Sequence, residues 1–235
     1  MTTPTTRPAQ GAEAEGAPMT AQVELARLSL LTSALTSDAL DRLGYRNQAL
    51  TTMLRPLRPG QRLAGRALPV AVVASDAMPD EPYVGEMRAI ELLQAGDVPV
   101  YATAPDVRAA VWGELFSLAA LGRGAVGAIV DGPMRDADAV AALGFPVFCQ
   151  GFSPLDTMGR AVVADIGSDV ICGGVRVRQG DYIVADEDGI VVLPAELAIE
   201  VVAQVTEKLR GEHGARDDLL AGKSVRDVWD TWGVF

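Results

Sequence analysis

Apolar residues recur at helical spacing between residues 21 and 43, and the period then changes repeatedly along the chain. Thr36-Ser37-Asp38 offers a cap for a second helix over 39–43, closed by Gly44. A Pro-Leu-Arg-Pro-Gly turn at 56–60 leads to an apolar run at 68–73 that reads as a strand. A helix over 87–95 stops at Gly96, and 98–101 is a short apolar strand. A helix over 111–121, a strand over 125–130, a helix over 137–143 and a strand over 146–148 follow. Strands alternating with helices at this interval predict βαβ units and a largely parallel sheet.

Beyond Gly151 the pattern shortens. The runs at 170–172, 175–177, 182–185 and 190–193 read as strands joined by Gly-Gly, Gln-Gly-Asp and Asp-Glu-Asp-Gly turns, the spacing of antiparallel hairpins. Pro194 opens a C-terminal helix over 195–210. No internal repeat is visible. The expected architecture is one α/β domain over 19–235, with helices covering a mixed sheet that continues into a β-rich layer. Residues 1–18, rich in Thr, Pro, Ala, Gly and Glu, read as a disordered tail.

Composition narrows the classes. A chain of 235 residues, 49% hydrophobic and 22% charged, has the material for a real core. A net charge of -11 argues against nucleic acid as the main partner, since phosphate binding needs clustered Lys and Arg. Cys149 and Cys172 lack metal-ligand spacing and read as buried, reduced thiols. The first 18 residues hold no apolar signal-peptide region, and no run is long enough to cross a membrane. A cytoplasmic protein without membrane partners is the expectation.

Three motifs point away from common chemistries. Gly122-x-Gly124-x-x-Gly127 matches a dinucleotide fingerprint but follows a helix and opens a strand, the reverse of the required context. It reads as a helix end and a tight turn. Asp186-Glu187-Asp188-Gly189 lacks the spacing of a calcium loop and reads as a hairpin turn. The single histidine, His213, lies in a polar stretch and reads as a solvent-facing helix-end residue, so triads that need a histidine have none to use.

The candidate chemistry lies between Gly113 and Asp136. Glu114 opens a helix whose first amides are unpaired, and a strand ending at Asp131-Gly132 runs into Arg135-Asp136. Arginine can grip the carboxylate of an α-keto acid in two places, and aspartate can hold a hard divalent cation. Each residue also has an ordinary reading. Glu114 complements a helix dipole, while Arg135-Asp136 is a surface ion pair or Asp136 caps the next helix.

Gly-Glu, twenty intervening residues and then Arg-Asp resembles the pattern of the ribonuclease-activity-regulator-A-like (RraA-like) family. That family includes divalent-metal-dependent 4-hydroxy-4-methyl-2-oxoglutarate/4-carboxy-4-hydroxy-2-oxoadipate aldolases. The likeness extends over Ser37-Asp38-Ala39-Leu40-Asp41-Arg42-Leu43-Gly44, Ile129-Val130-Asp131-Gly132-Pro133-Met134-Arg135-Asp136, Cys172-Gly173-Gly174-Val175 and Leu220-Ala221-Gly222-Lys223-Ser224. Trp112 is bulkier than the family pattern there, and 153–160 follows the family's substrate-side loop only loosely.

The resemblance implies an α/β/β sandwich, swivelling-domain-like, in trimers or hexamers with active sites shared between subunits. It implies that Asp136 holds Mg²⁺ or Mn²⁺ and that Arg135 binds the pyruvyl end of a small oxo-acid. Gly113 and the amides of Leu115 and Phe116 would receive its carboxylate. Glu114 would act as base or orient a water, and Glu212 would come from a neighbouring subunit. The activity implied is cleavage of a 4-hydroxy-2-oxo acid to pyruvate, with oxaloacetate decarboxylation through the same enolate. No lysine adjoins these motifs, which disfavours a Schiff-base aldolase. Two alternatives stand beside it: a non-catalytic regulator that binds ribonuclease E, and a specialised lyase for another oxo-acid.

Overall fold

The computed structural model of the chain describes residues 27–234. The tail expected over 1–18 and the start of the 21–43 helical pattern lie outside them. Helix α1 (Ser33–Arg42) and a two-residue strand β1 (Arg55–Pro56) precede the alternating segment. There follow β2 (Leu63–Ala74), α2 (Val84–Glu91), β3 (Asp97–Thr103), α3 (Glu114–Gly122), β4 (Ala128–Met134), α4 (Ala137–Leu143) and β5 (Val147–Phe152). β2, β3, β4 and β5 are parallel and stand side by side in chain order. Successive right-handed crossovers in one direction put their helices on one face of the sheet.

Residue alternation shows two covered faces. Val70, Tyr101, Val130 and Val147 pack with Ala89 and Ile90 of α2, Ala120 of α3 and Val140 of α4. Their strand neighbours Val98, Val100, Ile129 and Phe148 point the other way, into a second layer. That layer includes the hairpin of β7 (Val170–Cys172) and β8 (Val175–Val177), reached through β6 (Ala161–Ile166). The hairpin of β9 (Tyr182–Ala185) and β10 (Ile190–Leu193) extends the main sheet antiparallel beyond β2. Its other face meets α1 and the long helix α5 (Ala198–Leu220), followed by α6 (Val225–Trp232). The result is a single α/β domain on a mixed sheet, with the α/β/β layering expected.

Several boundaries differ from the sequence reading. The cap of α1 is Thr32, whose hydroxyl accepts from the Leu35 amide at 3.2 Å; Thr36, read as part of a cap, is buried inside the helix. β8 and β9 form no hairpin: Asp181 in the Gln-Gly-Asp segment instead accepts from the Arg178 and Ala195 amides, sending the two strands into different sheets. β6, unpredicted, shares an edge of β2 with β9, each taking part of its length. α5 runs through Gly211 and Gly214 to Leu220, so exposed His213 lies within a helix rather than at its end. Gly214 is required there, because a Cβ would come within 2.3 Å of the Trp232 ring on α6.

The helix expected over 87–95 is α2 at Val84–Glu91 and ends well before Gly96, whereas the glycine-turn, hairpin-turn and cysteine readings stand. Gly122 ends α3 and Gly124 has φ 82°, a left-handed turn into β4. Asp186 to Gly189 is the β9–β10 turn, where Asp186 also accepts from Ser33 at the start of α1. Cys149 and Cys172 are buried and free. Among the described residues no helix is long and apolar enough to cross a membrane.

Candidate active site

Main-chain bonds bring Gly113 and Asp136 together. The irregular segment before α3 lies along the end of β4: the Val111 amide donates to Pro133 O at 3.1 Å, and the Arg135 amide donates to Trp112 O at 2.9 Å. The loop after β5 closes the other side, with Ser153 N donating to Met134 O at 3.0 Å and Ala110 N to Leu155 O at 2.9 Å. These loops follow the carboxyl ends of parallel strands, where α/β sheets commonly open a ligand crevice.

Trp112 is the anchor of this frame. It is buried, meets Tyr101 edge-on at 5.3 Å and stacks on Phe145 at 6.4 Å. Its indole N–H donates to Ser117 Oγ at 2.8 Å, and that hydroxyl donates to Gly113 O at 2.9 Å. The bulk that departs from the family pattern therefore fixes the entry to α3. Gly113 itself is extended, with φ -166°, so its reason is space: a Cβ would stand 2.8 Å from Asp136 Oδ2.

Asp136 holds a left-handed backbone at φ 59°, and it occupies the cap position of α4 without a side-chain cap bond. The carboxylate turns instead to α3, where Oδ2 accepts from the Glu114 amide at 3.3 Å. It thus takes the first unpaired amide of that helix, while those of Leu115 and Phe116 have no partner among the described residues. Oδ1 likewise has none. Arg135 Nε lies 3.7 Å from Asp136 Oδ2, and Nη1 donates to Asp156 Oδ2 at 2.6 Å. Nη2 is left facing no protein acceptor among the described residues.

The sequence reading gave no role to Tyr83 or to Asp156, although Asp156 lies in the 153–160 loop compared with the family's substrate-side loop. Asp156 Oδ1 accepts from the Tyr83 hydroxyl at 3.0 Å and from the Met158 amide at 2.8 Å. Burial pushes the Asp156 carboxyl up, yet the Met158 amide, Tyr83 hydroxyl and Arg135 guanidinium outweigh it and hold it below the usual range. Tyr83 is pushed up, first by donating to Asp156 and then by desolvation. Tyr83 also has a left-handed backbone at φ 63°, so among the described residues the two non-glycine positive-φ sites both border this cleft. A topological signal for Asp156 existed: in a parallel sheet the loop after β5 opens at the same end as the loop after β4.

The cleft encloses about 400 Å³, and Gly113, Glu114, Leu115, Phe116, Arg135 and Asp136 all line it. Glu114 is half-buried. Asp131 is elsewhere: it points to the β layer and accepts from the Gly173 amide at 2.7 Å and Gln150 Nε2 at 2.5 Å. Glu212 lies on α5, outside the cleft lining of its own chain, beside Lys208 at 3.8 Å and Arg216 at 3.9 Å. No group of three or more His, Cys, Asp or Glu among the described residues could hold a metal. One half-exposed carboxylate with an unengaged oxygen suits a hard cation that keeps several waters.

Known proteins resemble this chain in sequence and in fold. The family model described as RraA-like, Aldolase/RraA, matches residues 33–192. The "Putative 4-hydroxy-4-methyl-2-oxoglutarate aldolase" of Halalkalibacterium halodurans is 33% identical over 185 residues, covering 79% of this chain and 82% of that protein. The crystal structure of an uncharacterized protein from Pseudomonas syringae pv. tomato superposes with TM-score 0.79 at 26% identity, over 95% of this chain and all of the other. Streptomyces coelicolor RraAS2, described as an unusual member of the RNase ES inhibitor RraA protein family, superposes with TM-score 0.74 at 28% identity. The match covers 86% of this chain and 99% of RraAS2.

Proposed function

Because the chain belongs to the RraA-like family, we propose that it is a carbon–carbon lyase that cleaves a 4-hydroxy-2-oxo acid and releases pyruvate. The observation that carries this reading is the convergence of Arg135, Asp136 and Glu114 on one cleft. The head of the substrate, its carboxylate and C2 oxygen, lies toward Arg135 Nη2 and the Leu115 and Phe116 amides. Glu114, directly or through one water, takes the C4 hydroxyl proton. The C4 carbonyl forms as the C3–C4 bond breaks, and the electron pair moves onto C3 and the C2 oxygen. Arg135 sets fixed positive charge where this negative charge develops. The proton returned to C3 completes pyruvate.

A divalent cation of the Mg²⁺ or Mn²⁺ type, held by Asp136, supplies Lewis-acid polarisation of the C2 oxygen when bound. The same site accounts for decarboxylation of oxaloacetate as a side reaction. The proposed assembly is a trimer or hexamer in which Glu212 of one subunit reaches the cleft of the next. The test is pyruvate release from 4-hydroxy-2-oxo acids, with Mg²⁺ and then with excess EDTA. Turnover should collapse with the chelator and return with added cation; equal rates in both would sink the metal assignment.

A second reading, a regulator that binds ribonuclease E, is favoured by the similarity to RraAS2. Complex formation with ribonuclease E, together with no pyruvate from any hydroxy-oxo acid, would replace the first reading with this one.

A further inference from the structure

Arg135 stands between two carboxylates and bonds to one of them. Asp136, its chain neighbour, lies 3.7 Å from Nε, beyond hydrogen-bond length, whereas Asp156 Oδ2 accepts from Nη1 at 2.6 Å. The arginine stem runs past Gly113, where a Cβ would meet its Cγ at 3.3 Å. Asp156 is itself held at its other oxygen: Oδ1 accepts from the Tyr83 hydroxyl at 3.0 Å and from the Met158 amide at 2.8 Å. Tyr83 comes from the entry to α2, Met158 from the loop after β5 and Arg135 from the end of β4. Three segments therefore fix one carboxylate orientation, and Tyr83 does so with a left-handed backbone at φ 63°. Strain of that kind persists where the surrounding contacts determine it.

The choice of partner matters because a guanidinium and a carboxylate pair most strongly in a two-pronged fashion. Released from Asp156, Arg135 would find Asp136 beside it. That pairing would consume the donors that face the cleft, and it would set a positive charge on the carboxylate suited to a cation. Resting on the reading of this cleft as a cation-dependent oxo-acid site, we infer that Asp156 is a positioning residue, locked by Tyr83. It draws Arg135 off Asp136 and so keeps the guanidinium open to the oxo-acid and the carboxylate open to the cation.

The test reads Mn²⁺ affinity by electron paramagnetic resonance, with no substrate and no turnover. Asp156→Asn keeps the shape of the side chain and removes the charge that holds Arg135, so it should weaken Mn²⁺ binding about tenfold. In an Arg135→Gln background no guanidinium can move. There the same substitution should cost about twofold or less, the loss left by one fewer negative charge. A purely structural or long-range field effect would be equal in both backgrounds, and that result overturns the inference. Tyr83→Phe retains the ring but unties Asp156, and it should weaken Mn²⁺ binding about threefold, again only where Arg135 is present. Unchanged binding in Tyr83→Phe overturns the lock. No Mn²⁺ binding by the unaltered protein would overturn the inference together with the metal assignment. The expected coupling without pyruvate release from any hydroxy-oxo acid supports the inference and removes only the lyase reading.

Discussion

Asp136 combines a strained backbone with a carboxylate turned into the cleft, and the two properties separate in mutants. A left-handed non-glycine residue costs on the order of 1 kcal/mol, which glycine recovers and alanine does not. Asp136→Gly should therefore be more stable than Asp136→Ala by about 1 kcal/mol in urea unfolding, while both lose metal-dependent turnover. Equal stabilities would mean that the left-handed turn relaxes once the side chain is gone. Asp156 offers a pH handle. Its folded carboxyl titrates below its unfolded one, so its stabilising contribution is complete above the unfolded value of about 4. That contribution is lost as pH falls through the depressed folded value. The stability gap between the native protein and Asp156→Asn should be flat above about pH 5 and close below about pH 4. A gap that closes on the alkaline side instead would contradict the ion pair.

At the scale of elements, the entry to α3 is built from Trp112, Gly113 and Ser117. In Gly113→Ala the added methyl meets Asp136 Oδ2 at 2.8 Å and Arg135 Cγ at 3.3 Å, although the extended backbone itself accepts alanine. Pyruvate release should fall at least about tenfold, while the melting temperature stays close to that of the native protein. Wild-type turnover would show that Asp136 need not hold its present place. The alternation of strands and helices between residues 63 and 152 was legible because each strand has one apolar run and a glycine closes α3 and α4. Gly113, Glu114, Arg135 and Asp136 were legible as a group because fixed spacing on βαβ units determines which loops meet. Asp156 and Tyr83 were not, since they sit in aperiodic stretches and meet each other across 73 positions, with Asp156 reaching Arg135 across 21. Likewise the helix expected to stop at 210 continues to Leu220, and the glycine at 214 is accounted for by the Trp232 ring packed against α5.

At the scale of the whole molecule, the proposed shared site makes activity depend on assembly. Light scattering should give the mass of a trimer or hexamer, and Glu212→Gln should lower turnover by about tenfold or more without changing that mass. A fully active monomer would remove Glu212 from the site. The frame itself places few demands on its functional side chains. Residues 111–113 are fastened to β4 through peptide groups, Val111 to Pro133 and Arg135 to Trp112, and those bonds ignore what stands at 114, 135 and 136. Such a cradle works like a socket wired independently of the plug. Its catalytic set can be exchanged or discarded while the surface that presents it survives, so one scaffold has room for both a lyase and a protein that only binds.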